Sequence, residues 1–519
     1  MRKFYFILSF FIPFILTAQT APSIQWQKTL GGSQEDVARS IQQTSDGGYI
    51  VAGQTWSSDG DVALNHGLID YWVVKLNSNG DISWKKSLGG SSGDVANSIQ
   101  QTSDNGYIIA GYTYSKDGDV TLNHGISDCW IVKLNEMGDI QWQKSMGGSK
   151  GEGAMDIKQT SDDGYIIAAL SNSNDGDLTT NHGNNDFWII KTDSNGNIQW
   201  QKSLGGSKSD IPHSIQQTSD GGYIVAGSTE DAVDGDITES YGKRDSWIVK
   251  LNSNGNIQWQ KTMGGVGDDH VQSIRQTSDG GYITAGGSTQ SITDTILTYP
   301  QIPNYWIVKY SNMGEMQWQK RYGGSLNEGA IDIQETNDGG YTILGTSSSS
   351  DGQVIMNHGK FDYWIVKINN TGTIQWQKSL GGTGDDMASN IQKTSDGGFI
   401  ISGHTSSNNG DITKNHGDRD YWIVKLAPEQ REASNVIKIK LTPILYPNPA
   451  RDFIYVERLP TDVPTEITIT DMAGRKIFSQ KYQEEKIRIN TAAFPQAAYV
   501  IQVKIKDELI FSEKIIIRK

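Results

Sequence analysis

Tryptophan returns along this chain at a fixed interval, and that interval limits what the chain can fold into. One series runs Trp72, Trp130, Trp188, Trp247, Trp306, Trp364, Trp422, and a second runs Trp26, Trp84, Trp142, Trp200, Trp259, Trp318, Trp376. Within each series the spacing is 58 or 59 residues, and of fifteen tryptophans only Trp56 stands outside. Such a period marks an array of one supersecondary unit, each too small to bury its apolar face alone and stacked on its neighbours. The stretch Asp245 to Lys261, DSWIVKLNSNGNIQWQK, reads as two strands and a turn. Trp247, Val249 and Leu251 share one face, and Ile257 and Trp259 share a face of the next strand. Between them Ser253-Asn254-Gly255 supplies residues that accept positive φ, so the chain can reverse.

Each unit parses into four strand candidates. In the second unit these are Ser98–Thr102, Tyr107–Thr113, Cys129–Leu134 and Ile140–Lys144, with a longer loop over 114–128. Four antiparallel strands per repeat make a propeller blade. First-strand segments occur seven times, at Ile41, Ile99, Ile157, Ile215, Ile274, Ile333 and Ile391. After the last third strand, Ala427-Pro428 ends the pattern, while an orphan fourth strand, Ile24–Lys28, opens the mature chain. The expected fold is all-β: a seven-bladed β-propeller over 19–427, with the N-terminal strand completing the last blade. Closure of that kind leaves no exposed sheet edge. A linker over 428–442 and a small β-sandwich over 443–519 complete the expected organisation.

The second strand DGGYIVAG, the Tyr-Trp of the third strand and the LNSNGNIQWQK hairpin resemble kelch and quinoprotein-like secreted propeller repeats. That resemblance implies the fold and no particular activity, because propellers host many functions. The tail carries Tyr446-Pro447-Asn448-Pro449, Asp471-Met472-Ala473-Gly474-Arg475 and Tyr499-Val500-Ile501 before a basic end. In motif and order it resembles the type A C-terminal sorting domain of type IX secretion substrates. It departs at Ala498, where a glycine usually precedes the tyrosine. The resemblance implies a partner, the type IX secretion machinery, and a secreted or outer-surface location.

The N-terminus agrees with export. Arg2 and Lys3 precede an apolar run to Leu16, and Leu16-Thr17-Ala18 suits cleavage, so 1–18 reads as a signal peptide with no transmembrane segment left after its removal. Net charge is −14. Residues 436–519 hold 14 Lys and Arg against 10 Asp and Glu, so the tail is +4 and the remainder −18. Such an acidic body repels phosphates and argues against nucleic acid. Cys129, the single cysteine, stands where other repeats carry Tyr71, Phe187, Tyr363 or Tyr421, and reads as a small apolar filler.

The tight turns of every blade fall on one face and the longer connections on the other, where binding residues usually sit. That face is regularly acidic. Asp36, Asp94, Glu152, Asp210, Asp269, Glu328 and Asp386 precede the first-strand isoleucines, and Asp70, Asp128, Asp186, Asp245, Asp362 and Asp420 precede the third-strand aromatic pair. The long loops add Asp-Gly-Asp and Asn-His-Gly. Their carboxylates at Asp59, Asp61, Asp117 and Asp119 suit either turn capping or calcium, with no other cofactor implied. An enzyme needs one unequal constellation, whereas these acids recur in every blade. The pattern breaks in blade four, at Glu239 to Arg244, and in blade five, at Tyr299 to Pro303. The candidate ligand-binding residues are therefore Asp210, Asp269, Asp234, Asp236, Tyr241, Arg244, Tyr299 and Trp56. The favoured reading is a non-catalytic binding or adhesion module for a glycan or protein. The alternatives are a polysaccharide hydrolase or lyase using funnel carboxylates such as Asp210 and Asp269, and a structural surface-layer component.

Overall fold

A computed structural model describes residues 20–289, 303–429, 443–459, 464–505 and 508–519. Residues 1–18, expected to be a signal peptide, and most of the expected linker fall outside these residues. The chain divides into two compact units between residues 430 and 431. No helix among the described residues is long and apolar enough to cross a membrane.

The first unit holds, among the described residues, seven four-stranded antiparallel sheets, in six of which the strands lie in chain order. Blade two is representative, with strands Asp94–Gln101, Tyr107–Thr113, Asp128–Leu134 and Ile140–Met146. Its first strand starts four residues ahead of the expected Ser98. The alternation of side chains that marks a strand is interrupted there by a β-bulge between Ala96 and Ser98. Blade seven is completed from the other end of the chain. Ile24–Leu30 pairs antiparallel with Asp420–Leu426, so hydrogen bonds join the first strand of the chain to the last blade.

Burial concentrates on the second and third strands, which are covered on both faces: YIVAGQT of blade one and DCWIVKL of blade two are buried throughout. Each third-strand tryptophan packs against the preceding blade. Tyr71 and Trp130 have ring centroids 4.6 Å apart, and the Tyr71 hydroxyl donates to the Trp130 carbonyl at 2.9 Å. Fourth-strand tryptophans reach the following blade instead. Trp26 meets Tyr49 edge-on at 5.5 Å and lies over Gly80, where an added Cβ would come within 2.8 Å of its ring. The repeated tryptophans are thus the inter-blade cement, each able to bury on the order of 150–250 Å². Cys129 is a buried free thiol and fills its place without a hydroxyl. Its absence of bulk is answered in the next blade: Ala169 stands where blade two has Gly111, whose added Cβ would meet the Tyr71 hydroxyl at 2.7 Å.

A second repeated device is invisible as a motif because its partners lie 29 or 30 residues apart. Lys75, Lys133, Lys191, Lys250, Lys309, Lys367 and Lys425 each reach the aspartate of the first tight turn in their own blade, at 2.7 to 2.9 Å. Each lysine side chain is nearly buried while its aspartate stays partly solvated. The ion pair staples the second and third strands to the turn.

The second unit is a two-sheet sandwich. Ile444–Tyr446, Phe453–Glu457 and Lys486–Asn490 form one sheet, and Lys476–Tyr482, Thr465–Asp471, Ala498–Ile505 and Glu508–Ile516 form the other. Ile454, Val456, Ile467, Ile469, Ile501 and Val503 share its core. The Tyr446-Pro447-Asn448-Pro449 motif is anchored through Asn448. Its amide donates to the Lys514 carbonyl at 2.9 Å and accepts from the Ile516 N–H at 3.0 Å.

Candidate functional site

The first strands neighbour one another around the ring and line a central channel. Every one of them carries the same bulge. The register shifts at Ala38/Ser40, Ala96/Ser98, Ala154/Asp156, Pro212/Ser214, Val271/Ser273, Ala330/Asp332 and Ala388/Asn390. A bulge leaves one residue unpaired and re-aims its side chain. Here the bulged residues are Arg39, Asn97, Met155, His213, Gln272, Ile331 and Ser389, and all seven line one cavity of about 370 Å³. No two are alike. The tryptophan and lysine columns of the scaffold repeat unchanged, whereas this ring holds seven residue types, as does the second-strand column that runs from Gln54 to His404.

Each first strand is an edge of its sheet, and the neighbouring blade takes up its outward amides. Ile41 N–H donates to Asn390 Oδ1 at 3.0 Å, Ile99 N–H to Ser40 Oγ at 3.3 Å, and Ile215 N–H to Asp156 Oδ2 at 3.1 Å. Below this layer two ion pairs lie on the channel wall, one within a single first strand and one between the first strands of neighbouring blades. Lys158 Nζ lies 2.5 Å from Asp156 Oδ1, which also accepts from Ser98 Oγ at 2.8 Å. Arg275 Nη2 lies 2.9 Å from Asp332 Oδ1, and Asn390 Nδ2 donates to Asp332 Oδ2 at 2.6 Å. Lys158 and Arg275 also line a second cavity of about 210 Å³ toward the tight turns, bounded by Gln42, Gln100, Gln216, Gln334 and Gln392.

Burial sets the electrostatics of the upper chamber. It pushes the His213 imidazole down to about 3, helped by His270 and Arg244, and His404 down to about 3, helped by Arg419 and Arg39. Both rings are therefore neutral at physiological pH. His404 Nδ1 is buried without a hydrogen-bond partner. Arg39 is open to channel water yet ringed by protein, and that enclosure lowers its pKa. Among the described residues, no carboxylate pairs with it.

The residues expected from the sequence lie elsewhere. Asp210 and Asp269 are only 1% and 0% exposed, and with the other acids ahead of the first strands they cap the preceding Gly-Gly. Gly206 N–H donates to Asp210 Oδ2 at 2.7 Å and Gly265 N–H to Asp269 Oδ2 at 2.8 Å. This corrects the funnel reading of the pair: both side chains face protein, where a polysaccharide does not reach. Burial pushes Asp210 up to about 6. The loop aspartates are exposed or half-buried and cap backbone amides. Asp234 Oδ1 accepts from Ser207 N–H at 2.7 Å and Asp236 Oδ2 from Gly205 N–H at 3.2 Å. Asp59, Asp61, Asp117 and Asp119 repeat that role on Ser33, Gly31, Ser91 and Gly89. Among the described residues no group of three or more His, Cys, Asp or Glu side chains gathers as a metal site. Each of the four carboxylates offered for calcium spends one oxygen on a separate backbone amide.

The loop histidines are engaged too: His66 Nδ1 lies 2.6 Å from buried Asp70, and His124, His182, His358 and His416 repeat the pair. Tyr241 is exposed and donates from its hydroxyl to Glu239 at 2.7 Å, while Arg244 lies 3.9 Å from Glu230. Trp56 is half-buried, its N–H on the Glu35 carbonyl. Tyr299 lies outside the described residues. Sequence reasoning missed the bulge ring. Column variability by itself does not single it out, because the second-strand column from Gln54 to His404 also holds seven residue types.

The family of secretion system C-terminal sorting domains matches residues 444–518. Among curated proteins, the regulatory protein FlaEY of Caulobacter vibrioides is 26% identical over 207 residues, covering 37% of this chain and 21% of its own length. Among solved structures, PorZ, a surface component of the type-IX secretion system of Porphyromonas gingivalis, aligns at 11% identity and a TM-score of 0.37, over 94% of this chain and 60% of its own. BamB of Moraxella catarrhalis aligns at 14% identity and a TM-score of 0.34, over 77% of this chain and 88% of its own. The chain thus spans about a fifth of the curated relative and 60% of PorZ. Ring closure, blade count and the matched tail together make this chain a β-propeller protein with a type IX secretion C-terminal sorting domain, destined for the outer cell surface or the medium.

Proposed function

We propose that the protein is a non-catalytic binding module of the cell exterior, taking a glycan or protein ligand into the mouth of its central channel. One observation carries this reading: seven different side chains at one repeat position line one cavity, while the scaffold around them repeats. Small-ligand sites are concave, with a few convergent polar groups, and commonly span 300–1,000 Å³. Hydrolysis of a polysaccharide calls for two carboxylates acting as acid and as base or nucleophile. The channel carboxylates Asp156 and Asp332 are each held by a cation, which supports binding over cleavage.

The test is to probe glycan and peptide arrays with the full secreted chain and with Asn97→Ala and Gln272→Ala. Binding by the wild type that both substitutions weaken is the expected result. A clean negative on both arrays, or binding that neither substitution changes, removes the channel as the site.

A further inference from the structure

Resting on that reading, we infer that the channel ligand is an acidic sugar whose carboxylate sits against Arg39. The upper chamber is lined by three permanent cations, Arg39, Lys158 and Arg275, and two carboxylates, Asp156 and Asp332. Lys158 is paired with Asp156, and Arg275 with Asp332. His213 and His404 add no charge, because burial keeps them neutral. The chamber therefore carries one uncompensated positive charge, and it belongs to Arg39.

That charge is unusual for its setting. Among the described cations that line this chamber, it is the one without a carboxylate partner. Arg39 is exposed to channel water, so its charge is hydrated and remains available to a ligand. A guanidinium also presents a planar fork that matches a carboxylate in two parallel hydrogen bonds. A single surplus charge suits a monoanion better than a phosphate dianion. Around Arg39 the ring alternates in character. Asn97, Gln272 and Ser389 offer donors and acceptors for hydroxyls, while Met155 and Ile331 offer an apolar wall for the C–H face of a pyranose ring. The acidic exterior does not forbid an acidic ligand, since at physiological salt its field is screened beyond roughly 8 Å.

The experiment is titration calorimetry of the full secreted chain with oligomers of galacturonate and of glucuronate, with the matching neutral galactose and glucose oligomers, and with inorganic phosphate. A uronate oligomer should bind at least tenfold more tightly than its neutral counterpart, and Arg39→Gln should remove that tenfold. Arg39→Gln should melt no lower than wild type, since the side chain has no partner to lose, and Arg39→Lys should keep part of the preference. Equal affinity for neutral and acidic oligomers overturns the inference, as does uronate binding that Arg39→Gln leaves intact. Phosphate competing as well as the uronates also overturns it, by reducing Arg39 to a general anion seat. Neutral oligomers that bind and are weakened by Gln272→Ala would leave the channel reading standing while this one falls. Failure of every sugar and of the peptide array would end both.

Discussion

The Lys367–Asp338 staple should respond very unequally to the loss of each partner. Lys367 Nζ lies 2.7 Å from Asp338 Oδ1, with the lysine side chain 0% exposed and the aspartate 31% exposed. The lysine also donates to Thr336 Oγ1. Burial works to raise the Asp338 carboxyl, but Lys367, Thr336 and the Gly340 N–H outweigh it and pull the group from an ordinary 3.8 down to about 2. At 1.36 kcal/mol per tenfold in acidity, that drop corresponds to roughly 2 kcal/mol favouring the charged pair. Partial exposure of the aspartate screens the interaction and brings the figure to ~1–2 kcal/mol. Asp338→Ala removes this and also strands a buried ammonium, so its total cost should reach ~3–5 kcal/mol. Lys367→Met leaves an aspartate that water can still reach, and should cost only ~1 kcal/mol. The double variant should therefore be more stable than Asp338→Ala alone, because the methionine takes away the stranded charge. Urea unfolding of the four proteins, read as midpoints at constant slope, measures the cycle. The reasoning is wrong if Lys367→Met proves the costlier single change, or if the two effects add to within about 0.5 kcal/mol.

Further predictions concern pH, packing, metal and the tail. Asp46, Asp162, Asp220, Asp279 and Asp338 all sit at about 2 in the folded chain, burial being outweighed by the lysine, threonine and backbone hydrogen bonds. Because these values are depressed on folding, the stability they supply is complete above about pH 4 and is lost as pH falls toward 2. Melting temperature should drop steeply across that window, and a flat profile there would dismiss the staples as a stabilising set. Cys129→Tyr should destabilise by about 1–3 kcal/mol, because the new hydroxyl meets the Cβ of Ala169. Adding Ala169→Gly should recover most of the loss in the same thermal melts. Chelator should leave the melting temperature unchanged, since the loop aspartates already cap amides; a fall that calcium reverses would show a bound ion. Asn448→Ala should loosen the sorting domain by roughly 1–2 kcal/mol, from a lost amide acceptor and donor, and reduce the amount of protein exported in a secretion assay.

Much of the architecture was legible from the chain alone. The period of Trp72, Trp130 and their successors specified blades, and the orphan strand at Ile24 specified how the ring closes. Those features are readable because hydrophobic alternation and turn chemistry are local, and repetition averages out the noise in each copy. The burial of Asp210 and Asp269 was not legible, because acid recurrence looks the same for a ligand ring and for a cap on a backbone amide. Only the partners distinguish them, and Gly206 and Gly265 are partners supplied by the folded connection. The Lys–Asp staples escaped notice for a related reason: their 29- or 30-residue separation is bridged only once the second and third strands pair.

The sequence by itself determined the seven-fold ring and its exported tail, because what repeats in sequence repeats in space. The tertiary structure alone decided where the blades stop being equivalent. A β-bulge has no residue signature of its own, so nothing local distinguishes Arg39, His213 or Gln272 from ordinary surface variation. Closing the ring turns those scattered positions into one wall, because the bulged residue of every first strand faces the same channel.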